Sequence, residues 1–413
     1  MDLEKRLYEA LKHHKTNSAA PRLDLFKEPS VGHIRETEMG PVWGVETVYE
    51  EGYLHGRIEL SCNIPRSAVE FLNSTGVECN IDFSQIAVID TETTGLAGGT
   101  GTYPFIVGIG FWSYGRFVVR QYILRDFCEE PAQLLVLSDD LRNTSCLLTY
   151  NGKSFDIPLL RTRYRINRLA IPFTGYPHID MVHPCRRIYK KHFESFNLSL
   201  LEAMIVGFER VNDVPSHLIP GIYFDYLQNR DDNLLIPILN HNRDDIVSLY
   251  LLAQETARRI DLALSGVCED DRLLLSLGQI LYRSREYGRS RVLLDSIKPQ
   301  FAPEEIADET IMYKSLLAKK ARDWETAQAI WHDMIGSGRF GCYPFIELAK
   351  HLEHRQKNPE TALNLTNKAL RLLEFEREFT SDISYVNIQS SIKRRRSRLL
   401  KKTSSTKKGV GRI

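Results

Sequence analysis

The stretch IAVIDTETTGL, residues 86–96, joins an apolar run to two acidic residues and a turn. Its first part, residues 86–93, has the length and β-branched composition of a buried strand. Residues two apart on a strand project to the same side, so Asp90 and Glu92 can face one site. A D-x-E spacing alone also arises by chance, and two solvated acids at a strand end are the ordinary alternative.

Two further strands are predicted directly after this stretch. Residues 104–114 and 116–124 are separated by a turn at Tyr114-Gly115, so with residues 86–93 they form an antiparallel meander. Another short apolar strand is predicted at 146–151, and helices are predicted over 130–142, 158–165, 199–205 and 237–259. Three strands followed by a helix–strand–helix unit predict a mixed α/β sheet of the ribonuclease H-like kind.

Further acidic residues occur where elements meet. Asp156 ends NGKSFD, where a strand passes through a turn into a helix, and helix capping is an equally good reading of that position. His241 and Asp245, in HNRDD, are four residues apart and share a helix face, whereas Asp244 projects elsewhere. An ordinary surface His–Asp pair is the alternative. Together the set supplies four carboxylates and one titratable base, as two-metal phosphodiester cleavage requires.

The small side chains after Glu92 predict a loop that approaches a phosphate or sugar closely, since glycines let backbone N–H groups come near a ligand. A flexible hairpin turn is the alternative. Lys153 can neutralise a phosphate, and Asp180, in HIDMVH, is expected to order a loop rather than to bind metal. The candidate substrate-binding residues are Thr93, Thr94, Gly95, Leu96 (an apolar wedge against the terminal base), Tyr103, Asn151 and Lys153.

In this order the motifs IDTETTG, NGKSFD and HNRDD resemble the DEDD (DnaQ-like) exonucleases, the superfamily that includes polymerase proofreading domains. The resemblance implies that two divalent ions, Mg²⁺ or Mn²⁺, are held by Asp90, Glu92, Asp156 and Asp245. It also implies that His241 orients or activates the attacking water. The histidine subfamily usually separates its histidine and last aspartate by one more position, so His241 occupies the tyrosine-type place.

The resemblance extends to IDTETTGLAGGTGTYPFIVGIGFW, to HIDMVHPCRRIYKKHFESFNLSLLEAMIVGFER and to the helical C-terminal region, which are similar to the bacterial YprB-type (MrfB-type) exonucleases. It covers residues 45–375. It implies a metal-dependent DNA exonuclease of 3′ to 5′ polarity, a place in DNA-damage repair and action beside a DEAD/DEAH-type helicase. An RNA substrate, or a scaffold whose nuclease fold is inert, are the alternatives.

After about residue 268 helical periodicity replaces strand patterns. Tyr287, Trp324 and Pro359 fall at matching places in three successive helical hairpins, 37 and 35 residues apart. This is close to the tetratricopeptide period of about 34 residues, with a plain helical bundle as the alternative. The predicted domains are an N-terminal helix and linker (1–45), a ribonuclease H-like domain with an N-terminal β extension (46–267), a tetratricopeptide-like domain (268–380) and a basic, partly disordered tail (381–413).

Composition sets the remaining limits. The 413 residues are 43% apolar with a net charge of +1, so no global field favours nucleic acid, yet the chain from Ile383 onward holds ten Lys/Arg and no acid. That tail and the basic segment 161–192 predict DNA contacts, with solvated surface as the alternative. Seven scattered cysteines indicate reduced thiols. Neither a leader nor a membrane span is predicted, and a cytoplasmic location is expected.

Overall fold

A computed structural model describes residues 31–73, 81–95, 100–377 and 383–410. The predicted N-terminal helix and Leu96 lie outside these residues. The chain divides into two compact units, Met1–Cys268 and Glu269–Ile413. Within the described ranges, no helix has the length and apolar character needed to cross a membrane.

The first unit is built on a mixed sheet. The strands of this unit are β1 (His33–Thr37), β2 (Gly40–Glu50), β3 (Leu54–His55), β4 (Ile58–Glu59), β5 (Ile86–Thr93), β6 (Pro104–Ser113), β7 (Arg116–Ile123), β8 (Cys146–Thr149) and β9 (His178–Asp180), and β3 and β4 form a separate two-stranded sheet. Its helices are α1 (Val69–Leu72), α2 (Glu130–Leu141), α3 (Asp156–Ile166), α4 (Val182–Ile188), α5 (Leu198–Leu201), α6 (Ile219–Asn229) and α7 (Ile236–Leu264). The segment Glu202–Val206 forms a π-helical turn after α5.

Seven strands lie in the order β1-β2-β7-β6-β5-β8-β9. Neighbouring strands are antiparallel in the part β1-β2-β7-β6-β5. Strand β8 pairs in parallel with β5, and β9 pairs in parallel with β8. This confirms the predicted mixed α/β sheet of the ribonuclease H-like kind and the meander of β5, β6 and β7. Leucines and aromatic residues of α2 and α3 pack with Ala87, Ile89 and Ile109 in one buried core.

The N-terminal part of the sheet differs from the prediction. The segment up to residue 45, which was predicted to be a linker, contains β1 and the start of β2. Strand β2 pairs with β7, and Trp43 lies opposite Ile123. Gly40, Pro41 and Gly44 obscure the strand pattern in the sequence, but Trp43 is completely buried and the pairing satisfies the backbone.

Helix α7 crosses β6 at two glycines. A Cβ atom on Gly108 would overlap Asn242 Oδ1 and lie 2.5 Å from Ile246 Cδ1, and one on Gly110 would lie 2.5 Å from Ile246 Cγ2. Only a residue without a side chain permits this approach. The two glycines therefore set how closely the helix lies against the sheet.

The second unit is helical. Its helices are α8 (Asp271–Arg283), α9 (Tyr287–Ser296), α10 (Glu304–Lys320), α11 (Trp324–Ser337), α12 (Tyr343–His354), α13 (Pro359–Arg377) and α14 (Ile383–Val410). The first six form three successive pairs, as the periodicity predicted. Tyr287, Trp324 and Pro359 each begin the second helix of a pair. The tetratricopeptide assignment stays a prediction.

The described part of the basic tail is helical, and the partial disorder of the tail stays a prediction. Helix α14 runs through it, and its Ile392 and Leu399 are buried against the neighbouring helices. These two residues are seven apart and share one helix face. The basic composition of the segment as a whole does not reveal that these two apolar residues are buried.

Replacing Gly108 by Ala tests the close approach of α7. We expect the free energy of unfolding to fall by about 1–3 kcal/mol, because the new methyl group over-packs a filled interface. Urea denaturation measures the change. Gly101→Ala is the matched control, since a Cβ there meets no atom within 4 Å. Equal stability of the two variants would contradict the argument.

Candidate active site

Two acidic residues of β5 face helix α7. Asp90 lies opposite Gly108 in the β5–β6 register, under the closest approach of the helix. Asn242 Nδ2 donates to Asp90 Oδ2 at 2.7 Å, and Gln121 Nε2 donates to Asn242 Oδ1 at 2.8 Å. Glu92 follows two residues later and lies on the same side. The chain from Gln121 through Asn242 orients the Asp90 carboxylate.

The facing residues of α7 are His241 and Asp245. His241 Nε2 lies 3.4 Å from Asp245 Oδ2 and 4.0 Å from Glu92 Oε1. Glu92, His241 and Asp245 each offer one ligand atom, and these atoms all lie within 4.8 Å of one another. Asp244 instead pairs with Arg243 at 2.8 Å. Spacing on the helix thus separates the two adjacent aspartates.

Asp156 is the first residue of α3. Its Oδ1 accepts a hydrogen bond from Thr91 Oγ1 at 2.6 Å, so the carboxylate is tied to β5. Among the predicted metal ligands, Glu92 and Asp245 cluster with His241. Asp90 and Asp156 lie beside that cluster, each held by a hydrogen bond.

Four carboxyl groups lie close together in this partly buried site. Burial, and then the charges of Asp245 and Asp156, raise the pKa of Asp90 well above its usual range. Burial and the neighbouring carboxylates do the same to the pKa of Glu92. Burial raises the pKa of Asp156 to about 6, although the Thr91 hydrogen bond opposes it. Carboxylate oxygens that repel one another suit hard divalent ions such as Mg²⁺ or Mn²⁺. The residues present fit such ions.

Two comparisons bear on this arrangement. A family model described as the RNase_H superfamily matches residues 87–257, which contain all five residues of the predicted site. The uncharacterized protein YprB of Bacillus subtilis (strain 168) is 30% identical over 284 residues, which are 68% of this chain and 68% of that protein. The chain belongs to the same family as YprB, and its residues 87–257 are a domain of the RNase_H superfamily. Membership supports a nuclease that hydrolyses nucleic acid, and nucleases of the RNase_H superfamily generally use divalent metal ions.

Sequence reasoning missed an arginine at the centre of this RNase_H site. Arg210 contacts Asp245, bonds Glu202 at 2.7 Å and lies 3.3 Å from Asp213. It follows the π-helical turn in GFERVNDVP, a loop without periodicity. An isolated charge in such a loop gives no signal of its own. Only the folded chain brings it to α7.

Asp213 holds the histidine. Its Oδ1 lies 2.7 Å from His241 Nδ1, whereas Arg210 Nη1 lies 3.2 Å from the same nitrogen. The shorter distance favours a hydrogen on Nδ1 that is donated to Asp213. His241 Nε2 is then directed at Glu92 and Asp245. The orientation of the ring therefore depends on a residue outside the predicted motifs.

The β3–β4 hairpin braces the loop that carries Arg210. The His55 ring stacks on Phe208 with centroids 3.8 Å apart, and its Nε2 lies 2.8 Å from Ser248 Oγ. Ser248 in turn donates to Glu202, the partner of Arg210. Burial lowers the pKa of His55 to about 4, so the ring is neutral near pH 7. A neutral ring adds no charge to the arginine network.

The predicted substrate-binding residues divide into two groups. Thr94 is buried and accepts the Tyr103 N–H at 3.0 Å, while the Tyr103 ring lies 3.8 Å from the Arg163 guanidinium. Thr94 and Tyr103, on either side of the Gly-rich segment, are therefore joined by a hydrogen bond. Thr93 Oγ1 donates to the Gly95 carbonyl at 3.0 Å, at the open end of β5.

Asn151 and Lys153 lie in the turn before α3. Their backbone N–H groups donate to the two oxygens of Asp180 at 2.7 and 3.0 Å. Asp180 is buried and orders this loop, as the sequence indicated. The same loop presents Phe155, which directly precedes Asp156 and is 57% exposed. An exposed aromatic ring beside a site carboxylate was not anticipated.

Removing the Asn242 amide tests the orientation of Asp90. We expect Asn242→Ala to weaken Mn²⁺ binding about 10- to 100-fold, as loss of a group that positions a ligand typically does. Isothermal titration of the protein with Mn²⁺ measures the affinity. Asn240→Ala is the control on the same helix, because Asn240 is exposed and bonds Arg243. Equal affinity in both variants would contradict a positioning role for Asn242.

Proposed function

We propose that the protein is a divalent-metal-dependent 3′ to 5′ DNA exonuclease that acts in DNA repair. The observation that carries this proposal is the convergence of Asp90, Glu92, Asp156, Asp245 and His241 at one end of β5. Five groups from three elements have no common structural purpose there. The four carboxylates repel one another, and bound divalent cations would relieve this repulsion.

The four carboxylates are proposed to hold two Mg²⁺ or Mn²⁺ ions. Such ions, when bound, activate a water molecule and stabilise charge on the phosphodiester. His241 accepts or orients the proton of that water through Nε2, and Asp213 keeps the ring in position. Arg210 holds the Asp245 carboxylate through its hydrogen bond.

The finer parts of the proposal have separate support. The order of the motifs IDTETTG, NGKSFD and HNRDD resembles DEDD exonucleases, and this resemblance supports exonuclease action and 3′ to 5′ polarity. A DNA substrate, a role in repair and a DEAD/DEAH-type helicase as partner rest on the resemblance to the YprB-type family. The helix pairs of the second unit offer a surface type that commonly binds partner proteins.

Replacing Asp156 by Asn tests the site directly. We expect cleavage to fall by on the order of 10³-fold or more, as loss of one member of a catalytic unit commonly does. DNA strands labelled separately at each end, with Mg²⁺, Mn²⁺ or chelator, report metal dependence and polarity. Matched RNA strands are assayed in parallel. Asp244→Asn is the control, since Asp244 pairs with Arg243 and faces away.

Different results would overturn different parts of the proposal. A near-normal rate in the Asp156→Asn variant contradicts the metal-ligand assignment. Early release of the 5′ label contradicts the polarity. Cleavage of RNA alone replaces the substrate and leaves the site assignment intact.

Phe155 is positioned to stack on a nucleobase next to the Asp156 carboxylate. Removal of an aromatic platform costs about 1–3 kcal/mol per stacked base, so we expect Phe155→Ala to raise KM for single-stranded DNA roughly 5- to 100-fold. The kcat value should change little, because Phe155 holds no metal. Phe155→Trp should restore KM, which a merely structural role would not predict. An unchanged KM in the alanine variant would rule out stacking.

A further inference from the structure

A buried glutamate fastens helix α14 to the second unit. Glu353, close to the end of α12, has a completely buried side chain. Its oxygens accept from Arg395 at 2.6 Å, from Arg398 at 2.8 and 2.9 Å, and from Lys402 at 2.8 Å. One carboxylate thus organises three cations of α14. The paired contact with Arg398 fixes the plane of its guanidinium.

Among the described residues that line the space beside this glutamate, cations outnumber acids. An open cavity of about 510 Å³ is lined by Glu353, His354, Lys357, Pro359, Arg398, Lys401 and Lys402. Glu353 is the only acid among these lining residues. Hydrogen bonds from Arg398 lower its pKa to about 2, so it is charged near neutral pH and still outnumbered. The excess faces solvent, because the lysines are exposed.

We propose that this basic cavity, between the α12–α13 turn and α14, binds the phosphodiester backbone of DNA independently of base sequence. Arg398, whose position is set by Glu353, meets a phosphate without first being ordered, which lowers the entropic cost of binding. Lys357 and Lys401 line the same cavity and add positive charge beside it. The choice of DNA rests on the proposed function. The cavity belongs to the helical unit, whereas the carboxylate cluster belongs to the first unit.

The chemistry of the lining favours nucleic acid over an acidic protein segment. Protein interfaces depend on buried aromatic or apolar anchors, and Pro359 is the one apolar residue among those that line the cavity. Backbone phosphates need only cations at suitable spacing. Arg394, exposed on α14, and Lys393 beside it continue the positive surface along the helix.

A salt titration of DNA binding tests the proposal. Fluorescently labelled single-stranded DNA is titrated with the full-length Asp156→Asn variant at several salt concentrations. A chelator is present so that no DNA is cut. We expect Lys357→Ala with Lys401→Ala to raise Kd roughly fivefold and to reduce the slope of log K against log salt by about 1.4, for two lost phosphate contacts. Arg291→Ala with Lys298→Ala is the control, since it removes two exposed cations elsewhere in the same unit.

Each other outcome is decisive. A salt slope equal to that of the parent chain overturns the proposal, even if affinity falls. An effect confined to polyglutamate, titrated in parallel, overturns DNA as the ligand in favour of an acidic protein. The two proposals can also fail separately. If the unsubstituted chain cleaves no DNA, the proposed nuclease function is refuted. If the double variant still shows a smaller slope of log K against log salt, DNA binding at the cavity is supported even then.

Discussion

The closeness of α7 to β6 is the constraint on which the first unit depends. Gly108 and Gly110 have no side chains, so Asn242 and Ile246 can contact the backbone of the sheet directly. At that separation the Asn242 amide reaches Asp90, and the helix face that carries His241 and Asp245 meets Glu92. A side chain on either glycine would lift the helix. Packing between two apolar surfaces and the geometry of a polar site are therefore set by the same contact.

The polar site is held by compensation between charges. Burial and the carboxylates of α3 and α7 raise the pKa of Asp90 and Glu92 on β5, while Arg210 pairs with Glu202 and Asp245. Taking one partner from such a buried pair leaves an uncompensated charge and is strongly destabilising. The Arg210 loop is in turn braced by the β3–β4 hairpin through Phe208 and Ser248. Elements far from the carboxylates thus determine where the carboxylates point.

The helical unit shows the same relation between one buried charge and the order of a whole segment. Glu353 gathers Arg395, Arg398 and Lys402, and Ile392 and Leu399 supply the apolar side of the contact. A segment with ten basic residues and no acid resembles a disordered chain when it is considered alone. The countercharge lies on another helix, more than forty residues earlier.

Local pattern by itself determined much of this protein. The strand at 86–93, the meander, the long helix around HNRDD and the helix pairs of the second unit follow from periodicity and turn residues, because those signals act over a few positions. The acids of the site could be named for the same reason. Tertiary structure alone decided that Trp43 brings the predicted linker into the sheet, that Asp213 and Arg210 orient the site, and that α14 packs against the helix that carries Glu353. Such contacts join residues as distant as Asp90 and Asn242, 152 positions apart, and their energy exists only after the chain has packed.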